Sequence, residues 1–406
     1  MKKVRRSLRA ARRITNFVIA HYLSAIEAHR RNKWVAWCTA VPPPIEILYA
    51  MDIQPLFPEN YACVCAVRKE TMELFRKSEA DGYLQDLCSY ARCVIGFLLG
   101  GKAPLGGMEK PDFLLSTKNV CSIYLKWWQV MSHYLKKPLL ILDCPRITDK
   151  IEKYHIEYVK DQLVSLIEEL EKITGESLDI NRLRSSVELS RKAAELWHKS
   201  LDLRKNKPCP MGVTDASAAM FPYVVSAGAR DAVEYYKMLY EEVKNRVKEG
   251  IGVVDEEKYR LVLSGIPYWH NLRLFNYLEE KYGAVFVYEL YTATWGIYKP
   301  DPSKPLESLA YKSLFNPINL PGEWTVEWIV KVMKEYDADG VIMLSSRSCK
   351  ATSLLHPAAQ KVLSKEYDIP CLIIEADHTD ERAYSDAQVK VRLDAFMEML
   401  EARKEK

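Results

Sequence analysis

Apolar positions along this chain follow two textures. In residues 32–150, and again from 256 to 406, short apolar runs alternate with segments of helical period, as an α/β fold requires. Between them only helical period appears. Val159, Leu163, Ile167, Leu170 and Ile173 mark one amphipathic helix, and Leu183, Val187, Ala194, Trp197 and Leu201 mark a second. A third covers Ala229 to Lys248. The pattern predicts an N-terminal helical segment (1–31), a first α/β domain (32–150), a helical domain (151–255) packed over or between its neighbours, and a second α/β domain (256–406).

Two distant stretches repeat one plan. Phe113 to Leu115 reads as a strand, a polar loop delivers Cys121, a helix follows, and Pro138 introduces the strand LLILDC. Val341 to Leu344 reads as a strand, Ser345 to Ser348 as a loop, and Cys349 precedes a helix; Pro370 then introduces the strand CLIIEAD. Both of these second strands read as buried. Earlier in the chain, Lys33 to Thr39 and Ile53 to Phe57 read as strands, with a helix started by Pro42 to Pro44 between them. Glu59 then falls in a loop just past a strand end, where α/β folds place their chemistry. Asp86 is placed as the cap of a helix beginning near Leu87, with Cys88 in its first turn. Gly283 suits a helix C-terminus. Lys299 to Gly322, rich in Pro and Ser, reads as a long ordered loop.

Composition narrows the class. The 406 residues are 48% apolar and 28% charged, as in soluble globular proteins. No apolar stretch is long enough to span a membrane, and a net charge of +4 is too small to argue for nucleic acid. The first thirteen residues carry seven Lys or Arg. Asn16, His21 and Glu27 interrupt the apolar run behind them, which argues against a secretory signal and leaves a transit peptide or an amphipathic helix with a basic face. The ten cysteines belong to a chain too long and regular for a disulfide scaffold, which points to a reducing cytoplasm. Cys144 and Cys371 read as core. There is no CxxC, HExxH, GxGxxG or Walker loop.

Three cysteines share one placement. Cys88, Cys121 and Cys349 each fall at a helix start, and for Cys88, in a first turn, backbone N–H groups and the helix dipole favour a thiolate. Two α/β domains facing each other across a cleft would bring them together. Three thiolates without a nearby His suit an iron–sulfur cluster better than zinc, with one iron left free of cysteine; three unrelated buried thiols are the plainer alternative. Cys93 stands roughly 140° round the helix from Cys88 and reads as core. Glu59 is a candidate general base, or else a solvated loop carboxylate. Thr39 and His378 stand in the same position, and His378 with Asp380 reads first as organising a turn.

The blocks WCTAVPPPIEILYAMDIQPLFPENY, DLCSYARCVIG, FLLSTKNVC, MLSSRSC and IPCLIIEADHTDERAYSDAQVKVRLDAFMEML resemble, in order, the 2-hydroxyacyl-CoA dehydratase and benzoyl-CoA reductase family. The resemblance runs from about residue 30 to the C-terminus. It implies two Rossmann-like domains plus a helical part, and a [4Fe–4S] cluster between them on Cys88, Cys121 and Cys349. It also implies Glu59 as the base and, more loosely, Thr39 as a helping hydroxyl. The implied chemistry is radical elimination from an acyl-CoA through a ketyl. Its electron comes from an ATP-hydrolysing iron–sulfur activator and passes through a second homologous subunit. A benzoyl-CoA reductase subunit, a double-cubane-type reductase recruiting Cys63, Cys65 or Cys93, and a pure electron-relay subunit are the alternatives within the family.

Overall fold

The computed structural model describes residues 7–41 and 43–405. The chain opens with α1 (Arg9–Arg30), whose apolar stripe of Ala10, Tyr22, Ala25 and Ala28 is buried. Then come β1 (Val35–Cys38), α2 (Ile45–Ala50), β2 (Gln54–Leu56), α3 (Pro58–Val67), α4 (Met72–Ala80), α5 (Ser89–Leu98), β3 (Phe113–Thr117), α6 (Ser122–Leu135) and β4 (Leu139–Leu142). A helical stretch follows: α7 (Lys153–Thr174), α8 (Ile180–Asp202), α9 (Val213–Ala219), α10 (Phe221–Ser226) and α11 (Arg230–Lys248). The last part holds β5 (Tyr259–Gly265), α12 (Arg273–Tyr282), β6 (Ala284–Glu289), α13 (Leu290–Thr294), α14 (Pro305–Leu314) and α15 (Gly322–Glu335). It ends with β7 (Gly340–Ser346), α16 (Lys350–Ser353), α17 (His356–Glu366), β8 (Cys371–Ala376) and α18 (Asp386–Lys404).

The strands form two four-stranded sheets, parallel throughout, in the orders β2-β1-β3-β4 and β6-β5-β7-β8. The two orders are the same plan. Each runs outward to one side of its first strand and then reverses to the other, so the turning points lie between β1 and β3 and between β5 and β7. In such sheets the loops that leave either side of the reversal diverge, which opens a crevice at the carboxyl ends. At the end of β5 the backbone of β7 comes so near Gly265 that a Cβ there would collide with the Leu344 carbonyl oxygen. Gly283 ends α12 in the left-handed region at φ +63 and caps it, as its sequence position suggests.

Several expectations are corrected. Residues 58–67 are a helix, because Pro58 sits in the first turn and the segment is buried on nearly every side. A helix buried all round has no polar face and so no amphipathic period to read. The helix after Asp86 begins at Ser89, with Cys88 as its N-cap residue and Asp86 outside it. The stretch 299–322 contains α14, started by Pro305. The helix expected from Pro42 to Pro44 begins at Ile45, and Pro42 lies outside the described residues. β4 and β8 are edge strands and only partly buried, with Ile141 and Glu375 exposed. Cys371 is half-exposed rather than core. No helix among the described residues is long and apolar enough to cross a membrane.

The helical stretch is tied to both sheets. α8 packs on α2, and Trp197 Nε1 donates to the Thr292 carbonyl at 3.2 Å. Just past α8, Arg204 donates to Glu289 at the end of β6 in a fully buried ion pair. Its second guanidinium nitrogen also donates to the Phe286 carbonyl at 2.6 Å. Removing one partner of such a pair strands the other charge in the interior. Arg204→Met should therefore lower unfolding stability by about 3–5 kcal/mol. Arg403→Ala, which breaks the exposed Arg403–Asp368 pair, should cost under about 1 kcal/mol. Urea unfolding of the two variants side by side checks both.

Candidate active site

Strand order decides what meets at the carboxyl edge of the first sheet. β2, β1 and β3 lie side by side, and beyond their ends stand Glu59, Thr39 and Cys121. Glu59 is in the first turn of α3 and is buried. One carboxylate oxygen accepts the Ala40 backbone N–H at 2.8 Å, and the other accepts the Tyr124 hydroxyl. Burial pushes the Glu59 carboxyl up to about 7, against the downward pull of those two hydrogen bonds. Thr39 is fully buried, and its hydroxyl has no hydrogen-bond partner among the described residues.

Cys88, Cys121 and Cys349 occupy the N-cap positions of α5, α6 and α16. They are electrostatic neighbours of one another. Burial, then the Cys349 charge, with a smaller push from Cys121, drives the Cys88 thiol well up. Burial raises Cys121 to about 11, with Cys349 adding to it and the backbone N–H groups of Tyr124 and Ile123 opposing. Cys349 is raised by burial and drawn down by Thr352, whose hydroxyl stands 3.3 Å from its sulfur. Burial and mutual repulsion both disfavour adjacent thiolates here, so negative charge on these sulfurs calls for a compensating cation. Among the described residues no group of three His, Cys, Asp or Glu is arranged to hold a single metal ion. Thiols on a polynuclear cluster stand farther apart than thiols on one ion. The donor set fits a cluster: soft sulfur ligands, with backbone N–H groups facing each sulfur.

The second sheet also places polar residues at its carboxyl edge. Cys349 follows β7, Tyr291 follows β6, and Asp377 and His378 follow β8. Burial drives the Tyr291 hydroxyl up, and the charges of Cys63, Glu59 and Cys349 add to it, against the pull of a hydrogen bond with Tyr90. His378 is fully buried and bridges the two halves. Ser346 Oγ lies 2.6 Å from its Nδ1 and Ser89 Oγ lies 3.0 Å from its Nε2. Burial pushes His378 down, so the ring is neutral and offers one donor and one acceptor to these hydroxyls. Ser348 donates to Asp377 and stands 3.2 Å from Ser89 Oγ. Ser89 follows Cys88 and Ser348 precedes Cys349, so two of the thiols hang from adjoining links of one network. Asp380 caps a short turn through the Arg382 N–H, as its sequence suggests, and also pairs with buried Arg92 at 3.0 Å.

The family model for the 2-hydroxyglutaryl-CoA dehydratase D-component matches residues 38–400 of this chain. The chain belongs to that family. It is 31% identical over 398 residues to the (R)-2-hydroxyisocaproyl-CoA dehydratase alpha subunit of Clostridioides difficile, covering 97% of each chain. It is 32% identical over 380 residues to a benzoyl-CoA reductase subunit of Thauera aromatica, covering 88% of this chain and 87% of that one. It is 29% identical over 384 residues to the (R)-phenyllactyl-CoA dehydratase alpha subunit of Clostridium sporogenes, over 94% and 93% of the two chains. In this member of the family, sequence reasoning passed over two site residues. Tyr124 had a signal: it lies three residues after Cys121, one helical turn along the same side. Tyr291 had none, because the strand AVFVYELY runs into it unbroken.

The raised Glu59 makes a stability prediction. The folded protein holds this proton more tightly than the unfolded chain does, so unfolding stability falls as pH rises from about 4.5 to about 7. Glu59→Gln should flatten that part of the curve. Thermal unfolding of the apo protein and the variant across pH 4 to 8 measures it, and parallel curves would mean that Glu59 titrates normally.

Proposed function

We propose that this chain is the cluster-bearing subunit of a 2-hydroxyacyl-CoA dehydratase, removing water from an (R)-2-hydroxyacyl-CoA. The observation that carries the reading is Glu59: a buried carboxylate with a pKa of about 7, held at the same sheet edge as Cys121. A general base works best when its pKa lies near the working pH. On this reading the two sheets are Rossmann-like domains (32–150 and 256–406), the helices of 151–255 form a third, and the cluster site lies in a cleft between the first two.

Cys88, Cys121 and Cys349 would hold a [4Fe–4S] cluster. When bound, such a cluster with one cysteine-free iron supplies a Lewis-acidic metal beside the thioester. The other roles fall to the chain itself. The thioester, reduced by one electron to a ketyl radical anion, would expel its 2-hydroxyl as hydroxide. A β-proton then passes to Glu59 and leaves with the hydroxide as water. The resulting enoyl radical anion gives the electron back to become the 2-enoyl-CoA, so the electron is needed only catalytically. Tyr124 and the Ala40 N–H fix the carboxylate so that one oxygen cannot swing away. The unpartnered Thr39 hydroxyl offers the substrate a hydrogen bond. Tyr291, Trp295 and Trp328 line the adjoining pocket and keep water from a reactive intermediate. The electron would arrive from an ATP-hydrolysing iron–sulfur activator through a second, homologous subunit in the cytoplasm. The relatives are themselves named as subunits, which supports the need for a partner.

The 32% identity to a benzoyl-CoA reductase subunit supports a second reading, reduction of an aromatic ring on the same scaffold. The raised base favours elimination. Anaerobic preparations should contain about four iron and four sulfide per chain, and a folded, colourless protein would sink the cluster reading. Cys349→Ala should lose iron, whereas Cys93→Ser should keep it. In the reconstituted system, Glu59→Gln should reduce dehydration by roughly 100-fold or more while leaving iron content and the visible spectrum unchanged. A stoichiometric demand for electrons at every turnover, rather than catalytic traces, would point to the ring reductase.

A further inference from the structure

A pocket with a cavity volume of about 110 Å³ lies against the second sheet beside the candidate site. A concave, mostly apolar recess of this kind suits a small molecule. Leu290, Ile318, Ile329, Met343, Leu355 and Ala359 supply its apolar walls. Two further lining residues connect it to the chemistry. Thr352 touches the Cys349 sulfur, and Tyr291 feels the charges of Glu59 and Cys349.

The pocket's chemistry is as informative as its place. No Lys, Arg, Asp or Glu stands among its lining residues. His356 is its one ionisable imidazole, and burial pushes that ring down to about 4, so it is neutral at physiological pH. Two cations on neighbouring elements are paired with carboxylates. Lys312 lines the adjoining pocket and is paired with Glu46. Lys350 donates to the Arg347 carbonyl, and Arg347 pairs with Glu375. A carboxylate entering this space would give up its water and meet no counter-charge in the pocket lining.

We propose that this pocket receives the acyl chain of the substrate and selects an uncharged, apolar one, branched-aliphatic or arylalkyl, against a dicarboxylic acyl group. The proposal rests on the reading of the site as an acyl-CoA site and names its substrate class. Each methylene placed against these walls adds affinity, so a very short acyl chain is also disfavoured.

The test is calorimetric titration of the anaerobic full-length protein with thioesters that lack the 2-hydroxyl and cannot react. 4-Methylpentanoyl-CoA and 3-phenylpropionyl-CoA should bind at least about 100-fold more tightly than glutaryl-CoA, and about 10-fold or more tightly than propionyl-CoA. Glutaryl-CoA binding as well as 4-methylpentanoyl-CoA would overturn the selectivity and leave the acyl-CoA reading standing. Failure of all four to bind would instead remove the acyl-CoA reading, and the proposal with it. Thr325→Lys places an ammonium on a half-buried wall position and should narrow the gap between the apolar and glutaryl ligands about 10-fold. An unchanged gap in that variant would place the acyl chain elsewhere.

Discussion

The carboxyl ends of two parallel sheets are fastened to each other by a few buried hydrogen bonds. Ser89, at the start of α5, meets Ser348 from the loop after β7, and His378 from the loop after β8 holds Ser89 and Ser346 at once. Everything proposed for this molecule depends on that junction. The thiols at 88 and 349 are one residue away from it on either side. A parallel sheet fixes its own strand ends to within the register of its ladder, but nothing in one sheet fixes it relative to another. Buried polar groups do so here because leaving any of them unpaired is costly, which makes the satisfied arrangement strongly preferred.

The same constraint on buried polar groups explains why the site can hold an unusual carboxylate. Elsewhere the interior pairs its charges: Arg204 with Glu289, Arg92 with Asp380, Lys312 with Glu46. Glu59 is held instead by a hydroxyl and one N–H, enough to orient it but not enough to keep it ionised as firmly as water would. An acid with that balance both takes and releases a proton near neutrality. Its neighbour Thr39 is left without a partner among the described residues, a buried hydroxyl whose hydrogen-bonding capacity the fold itself does not use.

Much of this was legible in the sequence, for identifiable reasons. Strands buried on both faces announce themselves as apolar runs, and prolines mark where β4 and β8 begin. The three cysteines could be placed at helix starts because each interrupts a strand-to-helix or turn-to-helix change of period. What stayed hidden has equally physical causes. α3 is apolar on nearly all sides and so gave no helical period, which left Glu59 misplaced in a loop. α14 begins in a Pro- and Ser-rich run that imitates a loop. The meeting of Ser89 with His378 spans 289 residues, and no local pattern encodes a contact of that range.

The excursion between β6 and β7 sends α14 back across the molecule to pack on α7, and Lys312 from that helix reaches Glu46 in α2. The final third of the polypeptide therefore straps the first. A cut in the loop after α11 would divide the sequence neatly and leave the two fragments still clasped. Separately made pieces of this protein should reassemble with each other far more readily than either should persist alone, and inheritance by fusion or fission of the gene would leave the working unit intact.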